Sequence, residues 1–247
     1  MAKTRKRGSL SIDVKRLLLQ RRFDLGLPFL PPQQRGGGVI SANGFRFKYT
    51  TYMDDTTYVF NGGNKYDCFM LFINPDHTAH LQGLRRGDNC SVEGGATSRN
   101  TLHAVLALAK EKGAKTLTLE DASNKYLPNK KYFSLSDMYF VTTGRTWYET
   151  YGGFRPTDEF VDQVARWRHI VATNTWESVL TSLHKSYSDV KIPVDVSDID
   201  ATTPGSAMIV LQRIKAANTE FFADYNLNLA QSSGIGTLEK IKWIADL

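Results

Sequence analysis

The feature that most restricts this fold is a double change of hydrophobic period near the middle of the chain. Residues 67–73 are a nearly unbroken apolar run, Asn74-Pro75-Asp76 interrupts it, and residues 78–84 return as a second extended segment. Leu102, Val105, Leu106 and Ala109 then recur at i, i+3, i+4 and i+7, one face of a helix. Thr97, Ser98 and Asn100 offer oxygens to cap its first turn, Lys110 and Lys112 suit its negative end, and Gly113 suits the residue that closes it. Residues 114–120 alternate again as a strand. Strand, glycine-containing loop, helix and strand make a βαβ crossover, because parallel strands need a long connection rather than a tight turn.

Upstream, residues 45–52 alternate aromatic and polar side chains, the period of a half-buried strand. Residues 56–60 supply a partner, and Asn61-Gly62-Gly63-Asn64 is a turn signal. With residues 67–73 and 78–84 these predict a four-stranded meander. Before it, residues 13–23 carry Val14, Leu17 and Leu18 on one side of a short helix, which Pro28, Pro31 and Pro32 stop. Gly36, Gly37 and Gly38 read as a flexible joint. Downstream the pattern is helical: residues 136–151 ending at Gly152-Gly153, 157–172, 174–187 with Thr175 as cap, 206–226, and 237–246 closing the chain. Phe160, Val161, Val164, Trp167, Arg168 and Val171 fall on one face of the second of these. The organisation expected is an N-terminal arm over residues 1–38, an α/β domain over 39–156 and a helical extension over 157–247.

Charge is concentrated in the arm. The net charge is +6, yet residues 1–35 hold nine Lys and Arg against Asp13 and Asp24, so the remainder sums to −1. Such an arm suits phosphate neutralisation on a nucleic acid, an acidic protein surface, a nuclear address or a solvated tail. The candidate contacts are Lys3, Arg5, Lys6, Arg7, Lys15, Arg16, Arg21 and Arg22. Hydrophobic residues at 41% and charged residues at 23% exclude a wholly disordered chain, a collagen and a coiled coil. Apolar runs are too short to span a bilayer, and no apolar stretch follows the basic start, so neither a membrane span nor a secretory signal peptide is expected. Cys68 and Cys90 are too few for a disulfide framework or a Cys-rich zinc site, which fits a reducing intracellular compartment. His77 and His80 would point to opposite faces of a strand, and His103, His169 and His184 are isolated, so no metal is expected.

The most informative stretch is residues 94–156. Gly94-Gly95-Ala96 opens the amphipathic helix, Lys112-Gly113 ends it, a strand follows, and Trp147-Tyr148-Glu149-Thr150-Tyr151-Gly152-Gly153-Phe154 closes a later helix. This order resembles the GNAT (GCN5-related N-acetyltransferase) family. Residues 135–148 look more specifically like the GNAT-like proteins of large DNA viruses of eukaryotes. The resemblance implies an α+β fold, a mixed sheet flanked by helices, carrying here a basic N-terminal arm and a helical C-terminal extension. It also implies acetyl-CoA as cofactor, held by Gly94, Gly95, Ala96, Thr97, Ser98 and Arg99. The chemistry agrees: exposed N–H groups at a helix start favour an anion, glycine lets a pyrophosphate approach the main chain, and Arg99 adds a charge-assisted contact.

Acetyl transfer to an amine needs a base to keep the amine neutral and an acid for the departing thiolate. The resemblance points to Tyr148 as the acid, with Glu120 or Asp121 as the base. Tyr148 equally suits a core aromatic beside Tyr139, Phe140, Trp147, Tyr151 and Phe154, and Glu120 and Asp121 suit a solvated strand end. Arg145, with Arg155 nearby, meets either phosphate or a surface partner. Ser91 stands where the family has Gln or Arg, and Thr142, Thr143 and Gly144 stand where it has Asn. Two functions therefore stay open, beside a third in which the chain is a nucleic-acid-binding accessory protein. One is an N-acetyltransferase, intact or degenerate. The other is a non-enzymatic viral structural, minor capsid or scaffold protein, whose arm over residues 1–38 reaches capsid partners or nucleic acid in the virion.

Overall fold

The computed structural model describes residues 34–42, 45–53, 58–61, 69–84, 97–121, 124–127, 132–236 and 238–247. The helix expected over residues 13–23 lies outside them, as do Cys68 and Cys90. The chain divides into two compact units. The first holds the described residues up to Leu119 with Asp246–Leu247, and the second spans Glu120–Ala245.

In the first unit, strands β1 (Gln34–Ala42), β2 (Phe45–Met53), β3 (Tyr58–Asn61), β4 (Phe69–Ile73) and β5 (Thr78–Leu84) pair successively antiparallel. Helix α1 (Ser98–Glu111) then leads to β6 (Thr116–Glu120), which pairs parallel to β5. The sheet is therefore mixed, and the expected crossover is present. Every residue of β4 is buried, as its unbroken apolar run requires. Leu102, Val105, Leu108 and Ala109 of α1 are buried, as are Leu117 and Leu119 of β6.

The meander has five strands instead of four, because the glycines read as a joint belong to β1. Gly36, Gly37 and Gly38 face Thr51, Thr50 and Tyr49 in the ladder. A close approach explains Gly38: a Cβ there would lie 2.6 Å from the Tyr49 hydroxyl. That ring in turn lies under the Lys112 ammonium, 5.7 Å from its centroid. The far end of α1 is fastened to the β4–β5 turn. His77, in a left-handed conformation at φ 64°, donates Nδ1–H to the Gly113 carbonyl at 3.0 Å, and its own carbonyl accepts the Lys115 N–H at 2.8 Å.

The second unit holds a small ladder of β7 (Asn124–Tyr126) and β8 (Tyr132–Ser134), then mostly helices. The single helix expected over 136–151 is two, α2 (Leu135–Thr143) and α3 (Trp147–Gly152). Gly144, left-handed at φ 69°, ends the first, and Thr146 caps the second. Strand β9 (Arg155–Pro156) and a 3₁₀ turn (Asp158–Phe160) precede α4 (Val161–Thr173). Val164 and Val171 of the expected apolar face are buried, but Val161 is 44% exposed because it sits at the helix start. Helix α5 (Trp176–Ser186) begins as expected at Thr175, whose hydroxyl accepts the Ser178 N–H.

The helix expected over 206–226 is divided into α6 (Ser206–Ala217), α7 (Glu220–Asp224) and α8 (Asn226–Ser232). Asn218, extended at φ −152°, ends α6, and Tyr225 at φ −119° separates α7 from α8. The closing segment is not a helix but a 3₁₀ turn (Leu238–Lys240) followed by strand β10 (Lys242–Asp246), where Trp243 and Ile244 pair with Pro156 and Arg155 of β9. The third region is thus helical with a strand at its end. The fold class is α+β: the first unit is a mixed sheet with α1 packed on it, and the second is mostly helical.

Candidate functional site

The start of α1 is built as its sequence requires. The Thr97 hydroxyl accepts the Asn100 N–H at 3.3 Å, and the Thr101 hydroxyl donates to the Thr97 carbonyl at 3.2 Å. No acidic side chain occupies the first turn, Ser98 is half-buried and Arg99 is exposed. The remaining N–H groups carry the positive end of the helix dipole. Gly94, Gly95 and Ala96 lie outside the described residues. Beside this helix the β5–β6 ladder runs from Thr78↔Thr116 to Leu81↔Leu119, whereas β5 continues to Leu84 on β4. A register shift there pairs Leu71 with Leu81 but Met70 with Gly83, so Gln82 is the extra residue of a bulge.

In the second unit the fold separates the two candidate carboxylates. Glu120 is exposed, while Asp121 is completely buried, its main-chain carbonyl accepting the Ser136 hydroxyl at 3.3 Å. Tyr148 joins Asp121, not Glu120. Only 7% of it is exposed, and its ring packs edge-on against Trp147 at 5.1 Å and Phe154 at 5.8 Å. Burial pushes the Tyr148 hydroxyl well above its ordinary pKa, and the Asp121 charge pushes it further. The phenol therefore stays protonated at neutral pH, inside an aromatic cluster.

An open cleft of about 480 Å³ also lies in this unit, where α2, α3, α4 and α6 come together. Arg145, Arg168 and Glu149 line it together with Phe154, Val171 and Met208. Thr146 and Glu149 form a reciprocal capping box: the Thr146 N–H donates to Glu149 Oε2 at 2.8 Å, and the Glu149 N–H donates to the Thr146 hydroxyl at 3.2 Å. Glu149 Oε1 pairs with Arg168, whose Nε–H donates to the Gly144 carbonyl at 3.1 Å. The Thr146-x-x-Glu149 spacing was a readable cap signal, but nothing local announced the Arg168 partner. Arg155 lies 3.9 Å from Asp158 in an exposed ion pair.

Asp137 was not singled out by its sequence either. It sits in the first turn of α2, where it accepts the Leu238 N–H at 3.5 Å. Burial pushes its carboxyl up to about 6, and nearby Glu239 adds to the rise, against the hydrogen bonds from Leu238 and Ser134.

Among the described residues no three His, Cys, Asp or Glu side chains come together as a metal site, and no helix is long and apolar enough to cross a membrane. The arm residues Lys3, Arg5, Lys6, Arg7, Lys15, Arg16, Arg21 and Arg22 lie outside the described part. Compared with protein families, curated proteins and solved structures, the chain finds no match.

Proposed function

We propose that this chain is a GNAT-like protein that binds acyl-CoA at the start of α1, with N-acetyl transfer to an amine as its reaction. The observation that carries the reading is the β5–α1–β6 crossover. Its helix starts at a Thr97 cap with no acid in the first turn, and the parallel ladder beside it stops at Leu81↔Leu119 while β5 runs on. N–H groups without a helical partner at that end suit a pyrophosphate, and the exposed Arg99 adds a positive charge. Gly94, Gly95 and Ala96 would allow the phosphates close to the main chain, with Thr97 and Ser98 at the first turn. Of the two candidate bases, Glu120 is the one whose side chain reaches water.

One observation favours the non-enzymatic reading, in which a virion scaffold keeps the fold. Tyr148 is enclosed, and its hydroxyl is held above the ordinary phenol value. A departing thiolate of ordinary basicity, about 8.5 for a thiol, draws a proton from such a phenol only uphill. Titration calorimetry with acetyl-CoA separates the readings. Micromolar binding that Gly94→Glu abolishes, with the far-ultraviolet circular dichroism unchanged, supports the acyl-CoA site. No heat at millimolar acetyl-CoA overturns it and leaves the scaffold. Release of free thiol from acetyl-CoA with an amine acceptor then tests transfer itself.

A further inference from the structure

We infer that the cleft between α2, α3, α4 and α6 is a binding site for a small amphiphilic anion, a carboxylate or phosphate head on an apolar body. This site is independent of the acyl-CoA reading. Arg145 provides the head contact. Its side chain is exposed, and among the described residues its guanidinium has no ion-pair or hydrogen-bond partner. Its main chain is held: the Arg145 N–H donates to the Thr143 hydroxyl at 3.2 Å, which donates back to the Arg145 carbonyl at 3.0 Å. The guanidinium therefore belongs to a fastened three-residue joint between helices, not to a long loop.

The second charge is pre-positioned. Arg168 is tied through Nε to the Gly144 carbonyl and through Nη2 to Glu149, yet its side chain remains 39% exposed. Its Nη1 has no hydrogen-bond partner among the described residues, so a second guanidinium with spare donors stands among the lining residues. The acid among the lining residues cannot quench Arg145. Both oxygens of Glu149 are engaged, one by Arg168 and one by the Thr146 N–H, and only 8% of the side chain is exposed. The lining therefore carries a net positive charge. Met208 is half-buried on the apolar side of the lining, with Phe154 and Val171 behind it at 4% and 3% exposure, so a ligand that meets both surfaces needs an anionic end and a greasy end. The volume, about 480 Å³, suits a small molecule.

The test is a nitrogen–proton correlation titration of the full chain with hexanoate, with its neutral amide and with phenyl phosphate. The site predicts saturable shifts at the amides of Gly144, Arg145, Gly153 and Val171 with one or both anions, and none of comparable size with the amide. The tighter of the two anions identifies the head group. Arg145→Gln should weaken that binding about tenfold, the effect of one charge-assisted contact. Arg155→Gln, a neighbouring arginine outside the lining, should leave it unchanged. Equal shifts from the neutral amide overturn the proposal. So does undiminished binding by Arg145→Gln, or no shift at about 20 mM anion, beyond the range of a weak millimolar site.

Discussion

Replacing Arg168 by Met should destabilise the second unit through the acid it leaves behind. The Glu149 side chain is 8% exposed, and Arg168 is its charged partner. Breaking a fully buried pair from one side costs about 3–5 kcal/mol. Two features reduce that figure here. The Arg168 side chain is 39% exposed, so water reaches the vacated place, and the Thr146 N–H still serves Glu149 Oε2 at 2.8 Å. The Gly144 carbonyl loses its donor at the same time. A net loss of about 2 kcal/mol follows, the size of one hydrogen bond to a charged group. It corresponds to a fall in Tm of about 4–8 °C for a chain of this length. Urea unfolding followed by tryptophan fluorescence suits the measurement. Trp167 packs against Phe140 at 6.5 Å and Trp147 stands in the first turn of α3, so both report on this region. The decisive comparison is with Glu149→Gln/Arg168→Met. If the stranded carboxylate is the cause, the double variant is more stable than Arg168→Met alone. A double variant at least as unstable as the single, or a single-variant loss below about 0.5 kcal/mol, the ordinary effect of a surface substitution, would refute the reasoning.

Asp137 should make stability depend on pH in the direction opposite to a paired carboxylate. Its folded pKa, about 6, lies above the ordinary 3.8, so its contribution is fully present below about 3.8 and is lost as pH rises through about 6. Asp137→Asn should remove that slope, and the wild-type-minus-variant stability should change by up to about 3 kcal/mol between pH 4 and pH 7; a flat difference in denaturant midpoints rejects it. Gly38→Val should weaken the first unit by at least about 1 kcal/mol, as expected where a side chain is forced into a filled position, because its Cβ would meet the Tyr49 ring; an unchanged melting curve would show that the ring moves aside freely. Gly205 is left-handed at φ 85°, with the Ala172 carbonyl 3.0 Å from a would-be Cβ, so Gly205→Ala should cost about 1–2 kcal/mol, read by the same unfolding assay. Removing residues 1–33, which spares β1, should flatten the salt dependence of any association with DNA or RNA; an unchanged slope excludes phosphate contact by the arm.

Much of the local structure was legible because it is decided within a few residues. The Thr97 and Thr175 caps, the apolar stripe of α1, the limits of β5 and the left-handed Gly113 all depend on neighbours one turn or one strand pair away. The parallel crossover was legible too, since a long helical connection leaves few other pairings. The misreadings share one cause. Gly36–Gly38 looked like a joint because glycine permits flexibility, yet Gly38 lies in a strand where Tyr49 needs its missing side chain. Residues 136–151 and 206–226 each carried helical periodicity throughout, and the turn at Gly144, the extended Asn218 and Tyr225 set the breaks.

For the candidate sites the same division holds. Sequence alone established which residue types stand at the start of α1 and at the end of β6. It also established where charge gathers, because composition and spacing are properties of the chain itself. Tertiary structure decided that Asp121 and Tyr148 share a buried place while Glu120 reaches water, and that Arg168 holds Glu149 and leaves Arg145 uncompensated at the edge of a cleft. The physical reason is that desolvation and charge pairing depend on what packs across long separations. Across the nineteen positions that separate Glu149 from Arg168, the chain carries no local signal of the ion pair that forms when α3 and α4 meet.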